Sequence, residues 1–114
     1  MEILKATTEN KLDLVRANNA VTAVQELKDK ALKLTDIIIG KKPDENGEVK
    51  VVTILKVQDG KETYFASSIS PTVADSVETI MEVFSADEIH KGVDIIVKSK
   101  KSKGGRDFFY IDLK

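Results

Sequence analysis

The stretch SPTVADSVETIMEVF, residues 70–84, separates two blocks of strand-like sequence and decides how they connect. A serine before a proline is a helix start: Ser70 can cap free N–H groups, and Pro71 at the first helical position lacks only a donor that would have no partner anyway. Val73, Val77, Ile80, Met81 and Phe84 then fall at i, i+4, i+7, i+8 and i+11, one apolar stripe, while Asp75, Glu78 and Glu82 point away from it. The spacing predicts one amphipathic helix that ends near Phe84.

Upstream of it lie three β-like runs. LKLTDIIIGK (32–41) is apolar, β-branched and short, and is followed by the turn-forming residues 42–47, KPDENG. EVKVVTILKV (48–57) alternates, with Val49, Val51, Thr53, Leu55 and Val57 on one face and Lys50, Val52, Ile54 and Lys56 on the other. Asp59-Gly60 is a strong hairpin signal that predicts a partner strand over 61–67. Downstream, Gly92 opens VDIIVKS (93–99), the turn KKSKGG follows, and RDFFYIDL (106–113) closes a second hairpin. Three meandering strands, a helix and a closing hairpin give the connectivity of a mainly β, five-stranded OB-fold barrel with one helix between strands three and four. Residues 31–114 are read as that domain. Residues 1–30 are read as an N-terminal extension: KLDLVR (11–16) suits a short strand, and Val21, Val24, Leu27 and Ala31 suit a helix from Asn19 to Lys30.

At 114 residues the chain has room for one core, and 41% hydrophobic with 32% charged residues is the balance of a chain that folds. Zero cysteines exclude disulfides and thiolate zinc sites, and a single histidine, His90, makes a multi-histidine metal site hard to build. With no phosphate-binding, dinucleotide-binding or nucleophile-elbow motif, the reading is not an enzyme, with no metal and no cofactor. His90 reads as an ordinary loop residue. No apolar run approaches the length of a bilayer crossing, so no membrane partner is expected. The net charge of −1 is unevenly placed: residues 91–114 carry seven Lys/Arg against three acids.

Two sets of side chains in that basic end can carry binding. Lys98, Lys100, Lys101, Lys103 and Arg106 sit on or beside the last hairpin turn, where cations attract phosphates without reading bases. Lys41 and Lys42 enter the first turn, with Asp44, Glu45 and Glu48 close by. Aromatic residues supply the second set. Alternation puts Phe109 with Ile111 and Leu113 toward the core and leaves Phe108 and Tyr110 on the other face, as platforms for bases. Tyr64 and Phe65 must point to opposite faces, so one is core and the other a stacking candidate; Tyr64 is taken as the candidate. A protein-interaction module that uses the acidic helix and the N-terminal helix is the alternative.

In order along the chain, VVTILKVQDG (51–60), SISPTVADSVETIMEV (68–83) and VDIIVKSKKSKGGRDFFYIDL (93–113) resemble the small OB-fold single-stranded DNA-binding proteins of Bacillus-type tailed phages with protein-primed replication, and more loosely similar proteins of Gram-positive phages and conjugative plasmids. The resemblance implies a non-sequence-specific coat on single-stranded DNA in phage or plasmid replication or transfer. It also implies no cofactor, a bacterial host cytoplasm as the place of action, and either a monomer or a homo-oligomer.

Overall fold

A computed structural model describes residues 1–114. It is mainly β, 48% strand, with a curled half-barrel sheet and three helices. The elements are β1 (Glu2–Ala6), α1 (Lys11–Asn18), β2 (Thr22–Ala23), a 3₁₀ turn (Val24–Leu27), β3 (Ala31–Pro43), β4 (Val49–Asp59), β5 (Glu62–Ser68), α2 (Pro71–Val83), α3 (Ala86–Lys91), β6 (Val93–Lys101) and β7 (Asp107–Leu113). No helix is long and apolar enough to cross a membrane.

The sheet order is β2-β5-β4-β3-β6-β7, with β1 also paired to β3. The five strands read from the sequence are β3 to β7, and two more come from residues 1–30. β3 organises the sheet because it is long and bent. Its register on β4 shifts between Leu34 and Asp36, and this bulge divides its other edge between two antiparallel partners. Residues 31–34 pair with β6, and Ile38 to Lys41 pair with β1. Gly40 permits the second pairing, since a Cβ there would stand 2.8 Å from the Glu2 carbonyl oxygen.

Curling gives the sheet an inner and an outer face, and β3 is buried on both. Leu34, Ile37, Ile39, Leu55, Val57, Ile95, Val97 and Ile111 fill the inside. On the outside, Ile38, Val52 and Ile54 form a second, smaller cluster with Ala17 of α1, and Leu14 and Phe65 pack against it. The apolar run IIIG (37–40) thus serves two cores.

α2 is the helix expected between β5 and β6. Val73, Val77 and Ile80 are buried in the inner core, with Met81 and Phe84 packed on it; each full burial is worth roughly 1.5–3 kcal/mol. Its start differs from expectation in one respect. Ser70 holds the N-cap position but makes no side-chain cap bond. Its hydroxyl meets Thr72 Oγ1 at 2.8 Å, and the Thr72 hydroxyl donates to the Phe109 carbonyl at 2.7 Å. One turn on, Ser76 Oγ accepts from the Ile111 N–H at 3.0 Å. The hydroxyls of α2 therefore satisfy the free edge of β7 where another strand would otherwise pair.

Residues 1–30 depart furthest from the sequence reading. KLDLVR lies in helix α1 rather than a strand; Asn10 caps it by accepting from the Asp13 N–H at 3.1 Å. The helix expected from Asn19 to Lys30 is instead β2 and a single 3₁₀ turn. That turn still buries Val24 and Leu27 in the inner core, while Val21 is 94% exposed. β2 runs parallel to the end of β5, and the Asp29 N–H donates to the Val97 carbonyl at 2.8 Å. The sheet claims these backbone groups, and a helix there would leave the facing edge of β5 and the Val97 carbonyl without these partners. α3 is a further departure from the sequence reading, although Ser85 and Glu88 form a capping box legible in the sequence as SADE.

Candidate nucleic-acid interface

The β6–β7 hairpin places its side chains by register. Lys98 stands opposite Tyr110, Lys100 opposite Phe108, and Ile96 opposite Asp112, all on the outer face. Val97, Ile111 and Phe109 belong to the inner face and its core. Cations on β6 therefore face aromatics on β7 across the strand pair. Lys100 Nζ lies 5.1 Å from the centre of the Tyr110 ring, a cation–π contact. Phe108 and Tyr110 are half-buried, so each ring keeps a solvent-facing part. Lys101, Lys103 and Arg106 are exposed along the tip, and no ion pair holds any of them.

Lys98 is different. Its Nζ donates to Asp112 Oδ2 at 3.0 Å, and Asp112 Oδ1 accepts from the Leu113 N–H at 2.9 Å. The hydrogen bond to Asp112 raises the Lys98 pKa, and the same bond is the main reason the Asp112 carboxyl lies below its ordinary value. Asp112 is a member of the site that charge counting missed, because the contact runs diagonally across the strand pair.

Register also decides between Tyr64 and Phe65. Tyr64 faces Val57 and packs on the inner core, whereas Phe65 faces Lys56 on the outer side and packs under α1. The structure thus does not bring Tyr64 onto the same face as Phe108 and Tyr110. The Tyr64 hydroxyl donates to Glu62 Oε2, a bond that favours the neutral phenol and raises its pKa. Glu62→Gln should lower the Tyr64 midpoint toward the ordinary value of about 10 in a spectrophotometric alkaline titration. An unmoved midpoint would show that Glu62 does not hold the phenol.

Lys41 and Lys42 lie at the opposite end of β3 from the strand pairing with β6. Lys41 is exposed; Lys42 stands opposite Lys50 and donates to the Asn18 carbonyl at 3.2 Å, at the end of α1. Between these two cationic ends the outer face of β4 and β5 is covered by α1. There Asp13 pairs with Lys56 at 3.1 Å, and Lys56 Nζ sits 5.9 Å from the Phe65 ring.

His90 is on α3, not in a loop, and ties three segments together. Its Nε2 is 2.9 Å from Asp36 Oδ1 and 2.7 Å from the Thr7 carbonyl oxygen. The Thr7 hydroxyl donates to Asp36 Oδ1 at 2.9 Å and accepts from the Ile37 N–H. The imidazole meets the threonine carbonyl rather than its hydroxyl, so nothing here activates a nucleophile. No group of three His, Asp or Glu side chains is placed to hold a metal ion.

Cations on β6 facing aromatics on β7, beside a basic hairpin tip, make a surface that can meet a charged, stackable polymer. Such a surface suits a single nucleic-acid strand, whose bases are free to stack. The chain matches the family described as phage single-stranded DNA-binding protein over residues 2–114, and it belongs to that family. Searches of curated proteins and of solved structures gave no match. The protein is accordingly a single-stranded DNA-binding protein of phage replication, from a family of binding proteins rather than enzymes. The match extends to the N-terminal segments, beyond the stretches from residue 51 onward that carried the resemblance in sequence.

Proposed function

We propose that the protein coats single-stranded DNA without regard to sequence, on an OB-type barrel whose five strands are β3 to β7. In this reading residues 31–114 form the barrel and residues 1–30 an extension packed onto and into it. Lys98, Lys100, Lys101, Lys103 and Arg106 hold phosphates, and Phe108 and Tyr110 stack on bases. Lys41 and Lys42 extend the cationic track at the far end of β3, and Tyr64 serves the inner core more than the track. Self-association on DNA through residues 1–30 is compatible with the exposed apolar side chains Ile3, Leu4, Leu12 and Val15.

The observation that carries the reading is the pairing of Lys98 with Tyr110 and of Lys100 with Phe108 on one face. Strands are about 4.8 Å apart, so each ring has a cation beside it, within reach of the phosphate that follows a stacked base. Without DNA, Lys100 covers the Tyr110 ring; a base taking that place frees the ammonium for a phosphate.

Tyrosine fluorescence tests this directly, since the chain has two tyrosines and no tryptophan. Titration with a poly-pyrimidine strand should quench it. Tyr110→Ala should remove most of the quench and weaken binding by roughly 1–3 kcal/mol at every salt concentration, because stacking releases no ions. Full affinity and full quenching in Tyr110→Ala would assign the stacking elsewhere.

A further inference from the structure

Asp112 engages one of the cations assigned to phosphate. Of the five cations assigned to the hairpin, only Lys98 is engaged by a carboxylate, at 3.0 Å, and that carboxylate lies on the same outer face as the aromatics. Its second oxygen is anchored by the Leu113 N–H, so its position is fixed by its own strand rather than by the lysine alone. Both partners are open to solvent, with 43% and 45% of the side chain exposed. An exposed pair of this kind is weak, so an incoming phosphate can replace it.

We infer that Asp112 is an affinity-limiting residue of the DNA-binding surface: it competes with the DNA phosphate for Lys98 and keeps the protein displaceable from the strand. The inference rests on the proposed role of the β6–β7 face. Binding must first break the Lys98–Asp112 pair, and then leaves a carboxylate beside the bound backbone. A coat protein that must later leave the strand is served by a built-in anion of this sort, whereas Lys101, Lys103 and Arg106 at the tip have no such partner.

Asp112→Asn keeps the size and the capacity to accept from the Leu113 N–H while removing the charge. The variant should bind single-stranded oligonucleotide about three- to tenfold more tightly at low salt, and its log K against log salt should steepen by about 0.7 as one more phosphate contact becomes fully effective. Its dissociation should slow correspondingly. Lys98→Gln separates this from the reading beneath it. If Lys98→Gln weakens wild-type binding, and most of the gain from Asp112→Asn is lost in the Lys98→Gln background, the competition runs through Lys98. If Lys98→Gln weakens binding but Asp112→Asn leaves affinity and slope unchanged, Asp112 is no competitor and only this inference falls. A gain of equal size with and without Lys98 also overturns it, because it is then a general charge effect. If Lys98→Gln itself changes nothing, Lys98 holds no phosphate, and its part in the proposed function falls together with this inference.

Discussion

Val77→Asp should remove a large part of the protein's stability, and in a marginal domain all of it. Val77 is fully buried in the inner core at the middle of the α2 stripe, four residues after Val73 and three before Ile80. An aspartate there must either bury a carboxylate with no cation in contact or pull α2 off the sheet. The first costs at least roughly 4 kcal/mol once the lost valine packing is counted. The second also releases the Thr72 and Ser76 hydroxyls that satisfy the free edge of β7. Domains of this size are typically stable by about 5–15 kcal/mol, and each kilocalorie is worth several degrees of melting temperature. A loss of the cooperative thermal transition, or a fall of some 15–30 °C, is therefore the expected calorimetric result. Val77→Ala, which leaves a small apolar void, should cost roughly 2 kcal/mol and still fold. Asp75→Asn, on the exposed face of the same helix, should lie within about 0.5 kcal/mol of wild type. If Val77→Asp melted with wild type, α2 would not be packed as described.

The parts of the fold legible in the sequence are those where one local period decides. α2 carries a 3.6-residue stripe over its whole length, and β4 alternates without a break, so both could be read one residue at a time. Residues 1–30 carry no such signal. Val21, Val24 and Leu27 are spaced equally well for an α-helix or a 3₁₀ turn, and the choice is made by β5 and β6, whose edges take up the backbone of 22–23 and 29. β1 is a strand only because the bulge in β3 leaves half an edge free, a tertiary fact invisible in EILKA. In α1, Leu12 and Leu14 suggest alternation, but it is Leu14 and Ala17, three apart, that pack on the outer face of the sheet.

The proposed binding surface is legible to the same degree and for the same reason. Alternation along RDFFYIDL separates Phe109 from Phe108 and Tyr110, and the register agrees. For Tyr64 and Phe65 the neighbours in sequence supply no parity. Only the pairing of Tyr64 with Val57 and of Phe65 with Lys56 settles which faces inward. Contacts between strands are lost altogether to a one-dimensional reading: the Asp112 carboxylate on Lys98 and the Asp13 carboxylate on Lys56 are diagonal or long-range pairs. A count of lysines therefore overstates the charge free to meet DNA, since Lys98 and Lys56 are already partly neutralised.

That distinction sets the size of the salt effect. Lys101, Lys103 and Arg106 are exposed and unpaired, so each phosphate they meet releases condensed counterions in full, with a slope of about −0.7 in log K against log salt per contact on a single strand. Replacing all three by Gln should flatten the slope by about 2. Because this contribution fades toward 1 M salt, the same loss appears at 0.1 M as roughly a hundredfold weaker binding, with little difference from wild type at high salt. Tyrosine quenching at saturation should survive, since Phe108 and Tyr110 are untouched and the tip takes no part in either core. The thermal transition should stay within about a kilocalorie of wild type for the same reason. A triple variant that lost affinity equally at all salt concentrations would mean that the tip shapes the stacking face rather than neutralising phosphates. One that bound as wild type would leave the β6–β7 tip a solvated turn and move the phosphate track toward Lys41, Lys42 and Lys50, at the other end of β3.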